Sequence, residues 1–393
     1  MANTVTSYIP KVLGAGLLAL RENAIFPRLV RNYSGRIGTA QVKGNAIDIP
    51  TGAALSAAAI SPSNTPPPNT DVSVSTTQLT LDTWQGVAFL LDDQQLTQID
   101  AQNNFIPIEI SEAMKALGNK VDSDGLALYK DIYGNAGTMG TTPFASDSTA
   151  WTNGARKKLI EQLSPVGPWN IVLNPDAEAL ALGLATFQKA NERGSASTMI
   201  TGEIGSVLGA NWFVNQNVPT HTAGTLTDGS NMAALINSAS VAVGDSSVAM
   251  DATSLSNAVV KGDLFTVAGD TQQYVVTAGA TASGNAITIS FSPNAKVAWA
   301  NNAAVTFTGG SGGGTDHVPN LAFHSDAFAF AAAPIADSMV EGLGGPSAIV
   351  TDPVTGIPVR LQVTREHYQT TWRFDILYGW KTIRPEFACR ILG

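Results

Sequence analysis

The stretch QVKGNAIDIPTGAALSAAAISPSNTPPPNTDVSVSTTQLTLDTWQGVAFLLDD, residues 41–93, alternates like a half-buried strand at both ends and is interrupted by a tip that no core strand could hold. Val42, Ile47 and Ile49 mark the outward run; Val72, Val74, Leu79, Leu81, Val87 and Phe89 mark the return. The tip, Ser61 to Thr70, carries Pro62, Pro66, Pro67 and Pro68. Proline withholds a ladder donor and fixes φ, so this run cannot pair within a sheet. A protruding two-stranded ribbon is marginal in water unless a further surface covers it. The pattern is therefore read as a surface for neighbouring copies of the chain, and the function as assembly.

The ribbon leads into NNFIPIEISEAMKALGNKVDSDGLALYKDIY, residues 103–133. Ile106, Ile110, Met114, Leu117, Val121, Leu128 and Ile132 recur at helical spacing, while Glu112, Lys115, Lys120 and Asp131 occupy other faces. This predicts one long amphipathic helix. Gly118 and Gly125 weaken it slightly, and the alternative is two shorter helices broken near one of them.

Bulk composition agrees with assembly. A chain of 393 residues exceeds one hydrophobic core, and only 13% of it is charged, against roughly 25% in ordinary soluble domains. Surface with so few charges is best explained by extensive subunit contacts. The formal charge of −9 argues against a nucleic-acid reader. Its distribution is uneven. Residues 1–40 hold Lys11, Arg21, Arg28, Arg31 and Arg36 against Glu22, a net +4. From residue 360 onward Arg360, Arg365, Arg373, Lys381, Arg384 and Arg390 face Glu366, Asp375 and Glu386, a net +3, so the body between carries −16. Basic ends and an acidic body attract one another between copies, or simply form mixed solvated faces. Cys389 is the only cysteine, which rules out an intrachain disulfide and suits a reducing compartment. Val12 to Leu20 mimics the apolar core of a signal peptide, but Arg21 and Glu22 follow without a small-residue cleavage site, and an amphipathic helix is expected there. No stretch has the apolar length of a membrane span.

Along the chain, a short helix from Pro10 to Asn23 and turns at Pro27 and Gly35 make an N-terminal arm, residues 1–40. After the ribbon and helix, Arg156 to Leu163 reads as helix and Trp169 to Leu173 as a buried strand. Asn174-Pro175-Asp176 starts a helix running toward Ala190. From Ala223 to Gly314 the composition shifts to short alternating runs, Val259 to Val267, Gln273 to Ala278, Ala286 to Phe291 and Ala303 to Phe307, separated by turns such as Gly262-Asp263. This is an inserted all-β domain, a small barrel, returning through the Gly309 to Gly314 linker. Near the end, Trp372, Phe374, Ile376, Tyr378 and Trp380 alternate with polar residues and pair with Leu361 and Val363 through a turn at Glu366 to Thr370.

The search for chemistry assigns no catalytic, cofactor-binding or metal-ligating residue. His221, His317, His324 and His367 form no ligand-spaced pair, and hydrogen-bonded or surface histidines are the expectation. Cys389 reads as a packed small hydrophobe. Gly309 to Gly313 matches a nucleophile-elbow pattern without its helix, and Gly202-Glu203-Ile204-Gly205 lacks dinucleotide spacing. Asp122-Ser123-Asp124-Gly125 imitates a calcium loop but lies in the helical pattern, where a solvated face is expected. Arg156-Lys157-Lys158 is a basic run on an exposed helix face, with phosphate contact the alternative.

Several stretches in order resemble major capsid proteins of tailed bacteriophages, of the HK97-type fold, in the subfamily of the short-tailed Salmonella-phage coat protein. They are Arg21-Glu22-Asn23 with Val30 to Gly35, then Thr201 to Gly205, then Gln216 to Gly224. Lys261 to Phe265, Asn320 to His324 and Asp375 to Glu386 complete the series. The resemblance spans essentially the whole chain and rests on packing and turn residues. It implies an α+β fold with an N-terminal arm at 1–40 and an extended β-loop at 41–95. It further implies a peripheral domain with its spine helix at 96–133 and 360–393, an axial domain at 134–222 and 317–359, and an inserted β-barrel-like domain at 223–316.

The implied function is that of a non-enzymatic shell subunit without cofactors. It forms hexamers and pentamers of an icosahedral shell around double-stranded DNA, which it does not bind sequence-specifically. Scaffolding and portal proteins are implied partners, a possible decoration protein is left open, and assembly in the bacterial cytoplasm without membrane association is implied. The alternatives are an encapsulin-like compartment shell and a secreted β-rich surface protein.

Overall fold

The computed structural model describes residues 13, 16–21, 24–36, 46–52, 59, 60, 62, 75–94, 105–189, 200–229, 234–237, 240–309, 314–335 and 346–393. Two compact units emerge. One gathers Met1–Glu22, Asn32–Leu117 and Ala329–Ile383; the other gathers Asn23–Arg31, Gly118–Phe328 and Arg384–Gly393.

The first unit is organised by its longest strand, Gln369–Thr382. Pro358–Glu366 pairs along one side, as expected, with Val363 opposite Trp372 and Leu361 opposite Phe374. The hairpin turns through His367 and Tyr368, whose φ values of 49° and 61° are those of a two-residue primed turn matched to strand twist. Thr83–Asp92 pairs along the other side, Phe89 opposite Trp372 and Val87 opposite Phe374. Phe328–Ala333, Ser347–Thr351 and the short edge strand Arg31–Asn32 complete the sheet. Trp372, Phe374, Ile376 and Tyr378 are buried as the alternation predicts. Asp375 is buried too, against that alternation, because Arg360 Nε and Trp84 Nε1 donate to its two oxygens at 3.0 and 3.2 Å.

Four strands are placed differently from the sequence reading. Val87 and Phe89, expected on the ribbon's return, belong to this sheet. The sheet also takes Ala329 to Ala333 and Ser347–Thr351, expected in the axial module, while Ala388–Leu392, expected beside the closing hairpin, pairs with Pro319–Phe323 in the second unit. Alternation reveals that a strand exists; it does not name the partner.

The long helix is a single element, Phe105–Leu126, followed by a 3-10 turn at Ala127–Asp131. It runs unbroken through Gly118 and Gly125 for about 33 Å, so the two-helix alternative falls. The described parts of the expected N-terminal helix, residue 13 and residues 16–21, are helical.

In the second unit a six-stranded sheet runs Asn135–Gly137, Ala388–Leu392, Pro319–Phe323, Trp169–Leu173, Ala210–Val214, Gly205–Val207. Trp169, Ile171 and Leu173 point to one face and join a core with Trp151, Trp212, Phe144 and Phe187. The rings of Trp151, Trp169 and Trp212 meet edge to face at about 6 Å. A π-helical turn, Ala150–Ala155, precedes the expected helix at Arg156–Glu161. Asn174 caps the next helix, accepting from Ala177 N at 3.3 Å. That helix stops at Leu182, short of Ala190, and a second turn covers Ala185–Gln188.

The main sheet of the inserted segment has six strands, in the order Leu235–Ile236, Ser247–Asp251, Ala286–Ser292, Tyr274–Val276, Leu264–Val267, Val305–Phe307. Leu235 bridges Ala304 and so joins the first strand to the last. Closure removes the open edges of the sheet. Phe265, Tyr274, Phe291, Trp299 and Phe307 fill the barrel, and Asp270 accepts from Tyr274 Oη at 2.6 Å and Trp299 Nε1 at 3.1 Å. The strand Ser247–Asp251 escaped the sequence reading, since Ser247, Ala249 and Met250 give it little β signal. Residues 310–313 of the expected linker lie outside the described residues.

Candidate functional site

Ala46–Thr51 and Ser75–Thr80 form a two-stranded ribbon, Ile47 opposite Leu79 and Thr51 opposite Ser75. The ribbon is amphipathic at its root and polar beyond it. Ile49, Leu79 and Leu81 are buried with Tyr33, Ala329, Ala331 and Ala333, while most other ribbon residues are exposed. The rooting depends on Gly379: a Cβ there would overlap the Thr80 carbonyl oxygen and come within 3.3 Å of Leu81 Cα. The tip, residues 61–70, falls outside the described residues apart from residue 62.

A second feature was not legible from spacing. The structure brings His221 and His317 together at the two ends of the inserted segment, with ring centres 5.1 Å apart and backbones bridged in both directions. His221 Nε2 lies 3.0 Å from Asp263 Oδ1, and its Nδ1 lies 2.9 Å from Tyr129 Oη. The carboxylate only accepts, so in the neutral ring Nε2 carries the hydrogen and Nδ1 accepts from the Tyr129 hydroxyl. Asp263 also accepts from Gly224 N and Val260 N. Arg390, fully buried, donates Nη1 to Gly262 O at 2.7 Å and holds its guanidinium 5.4 Å from the Tyr129 ring centre. Burial lowers its pKa to about 10 and raises that of Tyr129 to about 12. Gly262 has φ 107°, and a Cβ there would meet His221 Cε1 at 3.0 Å.

The Asp263–His221–Tyr129 sequence has the connectivity of an acid–base relay, but the tyrosine is 1% exposed and offers its oxygen to no substrate. It acts as the polar part of a joint. The apolar part is Tyr133, Met139, Leu264, Val275 and Leu392, and Gln273 exchanges hydrogen bonds with Asn135 beside it. The one sequence signal for this joint was position: His221 and His317 bracket the change in composition.

His317 makes the joint acid-sensitive. Its Nδ1 donates to Thr315 O at 2.9 Å, and burial, with His221 and Arg390 nearby, pushes its pKa down to about 4. A base whose folded pKa is depressed leaves stability intact above its unfolded pKa and loses it as pH falls toward the folded value. Relative to a His317→Gln variant, the wild type is expected to lose on the order of 2–3 kcal/mol between pH 6.5 and 4. Denaturant unfolding of both proteins across that range measures it, and a pH-independent difference contradicts it.

Cys389 is buried, and burial pushes its thiol up to about 12, as befits a packed hydrophobe. Arg156, Lys157 and Lys158 lie on the helix with Lys157 well exposed. Gly202 to Gly205 is the turn into an edge strand. His324 Nδ1 accepts from Asp326 N in a local turn, and His367 sits in the hairpin turn. Among the described residues no cluster of His, Cys, Asp and Glu could hold a metal, and no helix is long and apolar enough to cross a membrane.

Asp122 corrects the expectation of a solvated face. It is fully buried and accepts from Ile25 N at 3.0 Å, Phe26 N at 3.1 Å and Asn215 Nδ2 at 2.5 Å. Helical periodicity fixes which residues share a face, and a single aspartate on that face does not announce that the N-terminal segment covers it.

No protein-family profile matches the chain, and no curated protein sequence does. Solved structures do. A chain of Mycobacterium phage Che8 is 15% identical with a TM-score of 0.51, over 94% of this chain and 90% of that one. The mature capsid of bacteriophage PhiM1 gives 10% identity and 0.47, over 94% and 86%. The capsid of the cyanophage P-SCSP1u gives 12% and 0.46, over 93% and 87%. Of these the first, above 0.5, bears on the fold. The chain has the HK97-type fold. The barrel between His221 and His317 is an additional inserted domain on that fold.

Proposed function

We propose that this chain is the major capsid protein of a tailed bacteriophage, a non-enzymatic subunit that assembles into hexamers and pentamers of an icosahedral shell around double-stranded DNA. The observation that carries the reading is the rooted ribbon. Its base is fixed in the core by Leu79, Leu81 and Ile49, while the strands beyond present exposed polar edges. A single chain gains little from such a projection, whereas a neighbouring copy supplies the missing cover. Shell formation then needs only contacts repeated by symmetry, each of modest strength because several neighbours hold every subunit.

The inserted barrel favours the coat-protein subfamily of the short-tailed Salmonella phages. Scaffolding and portal proteins, a decoration protein and assembly in the bacterial cytoplasm follow as parts of the same proposal. The net charge of −9 points to a genome held by confinement rather than by counterion-releasing contacts.

The test is assembly of the full chain, coexpressed with its scaffolding protein, followed by electron microscopy. Closed shells are expected from the wild type. Deletion of Ser61 to Thr70 is expected to leave folded, soluble chains that do not close into shells. Normal particles from the deletion variant would remove the ribbon from the mechanism, and shells filled with a protein cargo instead of DNA would favour the compartment reading.

A further inference from the structure

The second unit carries two exposed features that its own packing does not use. One is the knob at the end of the Arg156–Glu161 helix, where Ile160, Leu163 and Val166 are 48%, 86% and 87% exposed. Leu163 closes the helix in the left-handed conformation, φ 59°, with Leu163 N bonded to Ile160 O and Ser164 N to Leu159 O. That position normally takes glycine, because a side chain there is strained. A large apolar side chain is therefore held in an unfavourable backbone state and left in water. Beside it the helix is basic, with Arg156 exposed and both Lys157 and Lys158 sharing Glu161 at 3.6 and 3.5 Å.

The other feature is a groove of about 340 Å³ along the edge strand Gly205–Val207. Leu173, Ile204, Trp212 and Val214 line it with Glu178 and Glu203. Burial raises the pKa of Glu178, and no cation among the described residues pairs with either carboxylate. The groove thus offers apolar walls and unpaired negative charge, the complement of the knob. The two features belong to opposite ends of one sheet. The knob's helix packs against Ala388–Leu392 and its Ser164 hydroxyl accepts from Trp169 Nε1, whereas the groove follows the Gly205–Val207 edge, four strand spacings or roughly 19 Å from Ala388–Leu392. Complementary patches on opposite flanks cannot satisfy each other within one chain. Between copies they make a head-to-tail contact, which closes into a ring when the rotation permits.

We propose that the Arg156–Val166 knob of one copy seats in the Glu178–Glu203 groove of the next, so that this pairing closes the ring of subunits. The inference rests on the shell-subunit reading and names the contact it needs. The strained leucine enters the groove's apolar part, and Arg156 and Lys157 meet the two glutamates.

The experiment uses the full chain under conditions in which the wild type assembles, read by sedimentation velocity and electron microscopy. E178K/E203K and R156E/K157E are each expected to lower the assembled fraction at least tenfold, and the combined fourfold variant, with both charges exchanged, is expected to restore it. Leu163→Gly relieves the backbone strain, so its melting temperature is expected to equal or exceed that of the wild type while assembly falls. Reversal variants that assemble like the wild type, or a fourfold variant that stays dissociated, overturn the contact and leave the shell reading standing. A wild-type chain that never exceeds a monomer overturns both.

Discussion

Gly379→Val is expected to unseat the ribbon and cost about 4 kcal/mol of stability in the first unit. The reason is a close backbone approach rather than an unusual φ. A Cβ at this position would overlap the Thr80 carbonyl oxygen, and behind it Leu81 Cα is only 3.3 Å away. Backbone cannot step aside as a flexible side chain can. Either Gln369–Thr382 or the ribbon's return strand must shift, and the shift reaches Leu79 and Leu81, both buried against Tyr33 and the alanines at 329, 331 and 333. Small residues there leave no slack, since interiors pack near crystal density. Hydrogen exchange should report the change at Ile47, Ile49 and Leu79 while the barrel amides keep their protection, and shell assembly should fail. Gly379→Ala should act in the same direction with smaller amplitude. Wild-type protection at Leu79 in the valine variant would show that the ribbon is not rooted through Gly379.

Much of this anatomy was legible in the sequence because it depends on local rules. The pairing of Leu361 and Val363 with the aromatic strand follows from alternation on both sides of a turn signal, although the turn itself is shorter than the Glu366 to Thr370 span read for it. The strand at Trp169–Leu173 and the cap at Asn174 were readable for the same reason. What escaped reading is long-range partnership. Phe89 looks the same whether its strand returns along a ribbon or lies beside Trp372, 6.1 Å from that ring. Arg390 reads as one charge among the basic residues of the C-terminal segment, yet it is sealed under Tyr129 and Gly262. The knob and groove are legible only in three dimensions. Leu163 fits a helical pattern in sequence, and the left-handed backbone that makes it informative is a property of the fold.

The second large effect is expected at Asp122. Burial pushes its carboxyl up to about 6, against the hydrogen bonds from Ile25 N, Asn215 and Phe26 N and the charge of Arg28. For an acid whose folded pKa is raised, the folded state holds the proton more tightly. The stability from that proton is full below the unfolded pKa of 3.8 and is lost as pH rises through about 6. Ionised Asp122 therefore costs about 3 kcal/mol at pH 7 relative to an unshifted carboxyl. It is retained because three donors converge on it.

Asp122→Ala removes every acceptor and leaves those donors buried. At about 1–3 kcal/mol for each unsatisfied group, less the relief of the ionisation cost, a net loss of about 3 kcal/mol is expected. Ile25 N and Phe26 N bond different oxygens of the carboxylate, so Asp122→Asn keeps an acceptor for only one of the two backbone N–H groups and sets its own amide donor against either the other N–H or Asn215, which can turn its amide to accept. That variant is expected to fall between the wild type and Asp122→Ala in stability at pH 7.5, since fewer donors lose their acceptor. It should also lose the Asp122 contribution between pH 4 and 6, leaving that of His317 exposed. His317 titrates over the same window with the opposite sign, so the wild type alone should show little net pH dependence there, and only the variants separate the two contributions. Denaturant unfolding of the alanine and asparagine variants at pH 4.5 and 7.5 decides the matter. An alanine variant as stable as the wild type, or an asparagine variant that falls as far as alanine, would mean that Asp122 does not hold the N-terminal segment at Ile25 and Phe26.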